Sequence, residues 1–226
     1  MDLRDFFPSI RAARAQALFR TVGYPEAVAS LLTALCTNAT PRDIWKPLAG
    51  TTLHQAVDLY SHPHLPQGAP TSPTLANLCS YRMDCRLTGL AHSIGATYTR
   101  YADDLAFSGG TLHTHAQRFA AHVASIAYDE GFAINHRKTR IMRQAVRQHL
   151  AGLVVNQHPN IRRADYDQLK ATLTNCIRSG PAAQNHDSHP RFRQHLEGRI
   201  EFVRMINPAK ASHLRELFTQ IEWPNR

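Results

Sequence analysis

A chain of 226 residues, 43% hydrophobic and 19% charged, can enclose one sizeable core, or one core and a small appendage. No run approaches eighteen apolar residues, and the opening MDLRDFFPSI lacks the pattern of a secretory signal, which argues against a membrane protein. The formal charge of +9 is divided unevenly: residues 1–135 carry ten Lys/Arg against ten Asp/Glu, and residues 136–226 carry sixteen against seven.

In chain order, Asp2 to Phe7 reads as a strand running into Pro8. Ile10 to Tyr24 and Glu26 to Cys36 read as helices, with Ala13, Ala17 and Leu18, then Val28, Leu31, Leu32 and Leu35, facing inward. Residues 37–65 form a polar, Pro-punctuated connection with short elements. In LPQGAPTSP, Leu65 to Pro73, Ser72 is the expected N-cap and Pro73 the first helical residue. The helix that follows carries Leu75, Leu78, Cys79, Met83, Leu87 and Leu90 on one stripe.

Tyr98 to Gly110, YTRYADDLAFSGG, reads as a hairpin with Asp103 and Asp104 at its tip. Thr114 to Glu130 is a helix, with Phe119, Val123 and Ile126 inward and Gly131 as its stop. Phe132 to Ile134 and Arg140 to Met142 read as strands around a turn, and Leu150 to Val155 is another apolar run. From about Ile161 the pattern is helical: Tyr166, Leu169, Leu173 and Ile177 form one stripe, Phe192, Leu196, Ile200 and Val203 a second. SGPAAQNHDSHP connects them, and Pro208 opens a last helix with Leu214, Leu217 and Ile221. The order predicts an α+β sheet domain over residues 1–156 and a helical region over 157–226.

The adjacent acids set the chemical question. Two unit charges about 4 Å apart repel by roughly 4 kcal/mol at an effective dielectric near 20, so solvent, a proton or a cation must offset them. A solvated Asp-Asp turn is the plain alternative. If the N-terminal strand lies beside the hairpin, Asp2 joins Asp103 and Asp104. Three carboxylates with no Cys or His beside them make an oxygen-rich site suited to Mg²⁺ or Mn²⁺. Two such ions can serve an in-line phosphoryl displacement. The fourteen histidines show no HExxH spacing, so zinc is not expected. The four cysteines lack CxxC spacing and read as reduced residues of a cytoplasmic protein. The basic C-terminal part suits a phosphate-backbone partner, with a generically basic helical surface as the alternative.

Five blocks occur in order: DLRDFFPSI, LPQGAPTSPTLANL, YTRYADDLAFSGG, GFAINHRKTRIM and LAGLVVN. Together they resemble the palm motifs of bacterial reverse transcriptases, especially the retron and group II intron branches. The resemblance implies a right-hand polymerase palm, a ferredoxin-like antiparallel sheet with packed helices, followed by a thumb-like helical region. It implies an RNA-directed DNA polymerase that adds deoxynucleotides to a primer 3′-hydroxyl with two Mg²⁺ ions, Mn²⁺ able to substitute. The implied partners are an RNA template, a DNA or RNA primer, dNTP and a dedicated non-coding RNA, in a retron-like or antiviral defence setting. A template-independent DNA polymerase of the same fold and an inactive nucleic-acid-binding fragment are the alternatives.

Residue by residue, the resemblance makes Asp2, Asp103 and Asp104 metal-binding and catalytic acids. Lys138 falls near the triphosphate and Phe7 under the incoming sugar; without the resemblance they read as a solvated turn lysine and a core phenylalanine. Gln67 and Gly68 line the nucleotide and template pocket, with Asp5 secondary near the triphosphate. Leu150, Gly152 and Leu153 belong to the primer grip. Arg100 either contacts nucleic acid or pairs with an acid. The family carries a fingers region ahead of the first acid, so an N-terminally truncated copy is expected. The chain has Leu150-Ala151-Gly152 where retron enzymes typically show Val-Thr-Gly, and no Asn-Ala-x-x-His.

Overall fold

The first strand, β1 (Leu3–Arg4), is two residues long because the backbone turns at Asp5. Asp5 adopts φ 49° and ψ 46°, and Phe6–Ser9 closes a helical turn, α1, instead of extending the strand. The Ser9 amide and hydroxyl both donate to the Asp5 carbonyl. Pro8 sits inside this first turn, where its missing N–H has no bond to lose. The computed structural model describes residues 1–45 and 54–223.

The chain divides into two compact units, Met1–Ile141 and Met142–Arg226. In the first, α2 (Ala12–Thr21) and α3 (Glu26–Cys36) are followed by α4 (Arg42–Trp45) and α5 (His54–Ser61). Next come α6 (Ser72–Cys79), α7 (Tyr81–His92), β2 (Thr97–Tyr101), β3 (Asp104–Ser108), α8 (Ala116–Asp129) and β4 (Ala133–Ile134). Part of the connection expected over 37–65 lies outside the described residues; the rest includes α4 and α5.

Strand pairing sets the architecture. β1 pairs antiparallel with β4, Leu3 facing Ile134, and β2 pairs with β3 from Thr97–Ser108 to Tyr101–Asp104. An antiparallel bridge between Asp2 and Asp104 joins the two pairs. There the Leu3 amide donates to the Asp103 carbonyl and the Leu105 amide to the Met1 carbonyl, both at 2.8 Å. The strands therefore run β4–β1–β3–β2. Leu3, Phe6, Ile10, Leu65, Leu75, Met83, Leu87, Leu105, Phe119, Val123, Phe132 and Ile134 make the core beside them.

Several expectations need correction. On α2 the buried residue is Ala15, and Ala13 and Ala17, expected inward, are exposed. The single helix expected after residue 71 is two helices meeting at Ser80. Its cap is Thr71, one residue early, because the buried Ser72 hydroxyl donates to the Pro66 carbonyl at 2.7 Å. α3 buries Ala29 and Thr33 and turns Leu31 and Leu35, 67% and 84% exposed, to solvent. Small residues allow close packing on α2, and that contact outweighs the larger stripe. Arg140 to Met142 is not a strand: all three residues are exposed, so no buried face holds them against the sheet.

The unit boundary falls at 141/142 and not near 156, because residues 142–156 bond among themselves. Asn156 Nδ2 donates to the Val146 carbonyl, the Gln148 backbone amide donates to Asn156 Oδ1, and Gln148 Nε2 donates to the Met142 carbonyl. The second unit contains the hairpin of β5 (His149–Leu150) and β6 (Leu153–Val154), then α9 (Arg163–Ser179), α10 (Phe192–Ile206) and α11 (Pro208–Thr219). Leu169, Leu173, Leu196, Ile200, Val203, Leu214 and Phe218 form its core. Pro208 opens α11 as expected, with Asn207 accepting from the Lys210 amide. Among the described residues no helix is long and apolar enough to cross a membrane.

Leu87 and Leu35 separate periodicity from packing. Leu87→Ala, at a fully buried position, is expected to lower unfolding free energy by about 2–5 kcal/mol. Leu35→Ala should change it by no more than about 0.5 kcal/mol. Chemical denaturation of the two variants checks both values.

Candidate active site

The β2–β3 hairpin turns through Ala102 and Asp103, with Ala102 at φ 50°. A non-glycine residue reaches this left-handed region only against Cβ crowding, which costs roughly 1–2 kcal/mol. The bridge from Asp2 to Asp104 draws in an acid from the far end of the chain. Asp2 is 7% exposed, whereas Asp103 and Asp104 are half-buried. Burial first, then the neighbouring Asp103 and Asp2 carboxylates, push the Asp104 carboxyl above its ordinary range.

Lys138 meets this group from the 3₁₀ turn His136–Lys138 after β4. The Asn135 amide donates to the Asp2 carbonyl at 2.8 Å, fixing where that turn begins. Lys138 Nζ then donates to Asp2 Oδ2 at 3.1 Å. This bond, then the charge of Asp2, raise the ammonium's pKa above its usual value. Among the described residues no cation is bonded to the Asp103 or Asp104 side chain.

The donor set fits a hard divalent cation in kind: oxygen only, with one carboxyl destabilised by its own neighbours. Among the described residues no three His, Cys, Asp or Glu side chains are gathered closely enough to enclose a metal. Asp2, Asp103 and Asp104 share the meeting of β1 with the hairpin, and Asp2 is held by Lys138.

The other expected residues divide. Phe7 is half-buried beside the first core, its ring edge-on to Phe6 at 5.3 Å. Asp5 accepts from the Tyr60 hydroxyl at 3.2 Å and caps no helix with its side chain. Gln67 and Gly68 are exposed on the loop before α6, and Gly68 needs its φ of 91°. That loop is tied back by the Leu65 amide on the Ile10 carbonyl and by Ser72 on Pro66. Leu150, Gly152 and Leu153 lie in the second unit. There Ala151 and Gly152, both at positive φ, form a two-residue hairpin turn, and Leu153 packs on the helical core.

Arg100 pairs with an acid. Its side chain, 7% exposed, forks onto Asp84 with Nε–Oδ1 at 2.8 Å and Nη2–Oδ2 at 2.7 Å. Nη1 donates to Asn77 Oδ1 at 3.0 Å and to the Ala102 carbonyl at 3.1 Å. The Tyr98 hydroxyl donates to Asp84 Oδ1 at 2.8 Å; burial and then this bond push the phenol far up. Sequence reasoning missed Asp84, Asn77 and Tyr98. The available signal was Tyr98 and Arg100 two apart on one strand, hence on one face, with donors that need a buried acceptor.

Comparison with known proteins gives a consistent picture. Residues 1–197 match the family model described as reverse transcriptase (RNA-dependent DNA polymerase). Retron Mx65 reverse transcriptase of Myxococcus xanthus is 39% identical over 95% of this chain and 47% of its own length. Retron Mx162 reverse transcriptase of the same organism is 34% identical, covering 98% and 47%. Retron Ec86 reverse transcriptase of Escherichia coli is 33% identical, covering 98% and 58%. The chain spans about half the length of these relatives. The two short departures from retron hallmarks do not separate it from enzymes bearing that name.

Asp104 predicts a pH signature. Its pKa is raised on folding, so the folded state holds a proton that the unfolded state releases, and stability falls as pH rises from the ordinary carboxylate value through the raised one. With divalent ions chelated, Asp104→Asn should therefore melt above the unsubstituted chain at pH 7. The gap should close as pH falls below the ordinary carboxylate range; thermal melts at several pH values test this.

Proposed function

The chain belongs to the reverse transcriptase (RNA-dependent DNA polymerase) family, and we propose that Met1–Ile141 is its polymerase palm and the helices of the second unit its thumb. In this reading the enzyme adds deoxynucleotides to a primer 3′-hydroxyl under the direction of an RNA template. The carrying observation is the bridge that sets Asp2 beside Asp104, with Asp103 next in the same turn. The strand order β4–β1–β3–β2, with helices between β1 and β2 and between β3 and β4, is that of a ferredoxin-like sheet and supports the palm assignment.

Asp2, Asp103 and Asp104 are the residues that would hold two Mg²⁺ ions, Mn²⁺ substituting. Such ions supply polarisation of the attacking hydroxyl and neutralisation of charge on the leaving oxygen. The protein's own contributions follow from its side chains. Lys138, its side chain 63% exposed and bonded to Asp2, can turn its ammonium toward a triphosphate and offset the charge of departing pyrophosphate. Phe7 offers a flat apolar surface on which a deoxyribose fits and a 2′-hydroxyl has no acceptor. Gly68, with nothing within 4 Å of where a Cβ would stand, leaves room for close approach of nucleotide or template.

Residues 142–226 carry thirteen Lys/Arg against seven Asp/Glu, which gives the second unit an electrostatic basis for holding duplex phosphates. The hairpin of β5 and β6, with Leu150 and Gly152, is the primer grip in this reading. The relatives are named retron reverse transcriptases, and in a retron-type reading the template is a dedicated non-coding RNA.

Primer extension on oligo(dT)-primed poly(rA), with Mg²⁺ or Mn²⁺ and with the template omitted, tests the proposal directly. Template-dependent extension should fall by about a hundredfold or more in Asp103→Asn. Extension that ignores the template would point instead to a template-independent polymerase. Phe7→Ala should raise ribonucleotide use relative to deoxynucleotide use by at least roughly tenfold, the scale on which a pocket discriminates one small group. Competition between dTTP and UTP measures that ratio.

A further inference from the structure

The acidic turn is held from behind by Arg100 and Asn77, which fall within two of the five blocks, and by Asp84, which falls outside them. Arg100 reaches from β2 to four places: Asp84 on α7 by a two-bond fork, Asn77 on α6, the Ala102 carbonyl, and the Phe6 ring at 5.6 Å. The Ala102 carbonyl belongs to the strained residue that precedes Asp103. Asn77 lies on the helix that Ser72 anchors to the loop of Gln67 and Gly68. One guanidinium thus links the loop-bearing helix, the second helix and the turn. A lysine could keep the charge but not these planar, divergent bonds.

We propose that Arg100, oriented by Asp84, is a positioning residue that fixes the Ala102–Asp103 turn against β1 and couples its placement to the loop before α6. The proposal rests on the metal-site reading for its purpose, though the brace itself is a property of the protein chain. Loss of the fork frees the Ala102 carbonyl and the turn relaxes from its left-handed conformation. Asp103 and Asp104 then leave the alignment with Asp2 that the Leu3 and Leu105 amides maintain.

Two measurements on residues 1–226 test this, on Arg100→Lys and on Asn77→Ala, which leaves the Arg100–Asp84 pair in place. The first is amide hydrogen exchange at Leu3 and Leu105, with the α8 amides as reference. Arg100→Lys should speed exchange at Leu3 and Leu105 by about tenfold or more, the scale of a lost bond to a charged group, with α8 unchanged. Asn77→Ala should give a smaller local effect.

The second measurement is Mn²⁺ binding, read from the paramagnetic resonance signal of the free ion. Arg100→Lys should weaken the binding that Asp104→Asn removes. Unaltered exchange at Leu3 and Leu105 in both folded variants overturns the brace, as does acceleration shared equally by α8. Local acceleration with Mn²⁺ binding indifferent to Asp104→Asn supports the brace and overturns the metal reading instead.

Discussion

The bridge between Asp2 and Asp104 is the constraint on which the first unit depends. It joins residues separated by nearly half the chain, so it forms only when the intervening helices have folded back to return the hairpin to β1. Closing a loop of that length carries an entropic penalty that grows only slowly with length. The offsetting contribution comes from the core formed by Leu3, Leu105 and Ile134 with α7 and α8. Alternation along short strands then requires the acids to sit at the strand ends, where the core stops and solvent begins. The repulsion among the acids is therefore a consequence of the same bonds that complete the sheet.

Carboxylates in this unit are treated in two ways. Glu130, 8% exposed, accepts from Arg86 at 2.8 Å and pairs with Arg82 at 3.1 Å, while its carbonyl accepts from Arg14. Asp84 receives the Arg100 fork and the Tyr98 hydroxyl. A carboxylate withdrawn from water is tolerated only when paired and bonded in this way. Among the described residues Asp2, the most buried of the acids at the turn, has one side-chain partner, Lys138, whose own side chain is 63% exposed. The structural acids are saturated with donors and the acids at the turn are left short. That contrast, more than the presence of three acids, supports the cation site of the proposed reading.

Much of this was legible from the chain itself. Asp103 and Asp104 stood out because strand formers flank them, and Gly131 and Pro208 stop and start their helices for local reasons that sequence carries well. What failed was decided by partners far away. Phe6 and Phe7 read as strand until Asp5 turned left-handed and β1 found β4. Leu31 and Leu35 read as core because an apolar stripe carries no information about what it meets. Arg140 to Met142 had strand composition but no buried face to hold it to the sheet. Among the residues that meet at the turn, Lys138 and the acids were expected there by type and motif. Asp84 and Asn77 were not, since their role lies in contacts across 16 and 23 residues that no periodicity announces.

Ala102 and Ala151 show how the same backbone problem is met differently. Both stand at positive φ in a two-residue turn, where glycine or asparagine would reduce the strain. At Ala151 the next residue is Gly152, also left-handed, and the small hairpin needs only to reverse direction. At Ala102 the next residue is Asp103, and the turn must aim a carboxylate. Glycine there would relieve local crowding but would also widen the conformations open to the turn, both in the folded chain and before folding. An alanine whose carbonyl is held by Arg100, followed by an aspartate whose carbonyl is held by the Leu3 amide, has fewer ways to move. Strain at this position, opposed by bonds on both flanks, exchanges a small loss of stability for a defined direction of the acids.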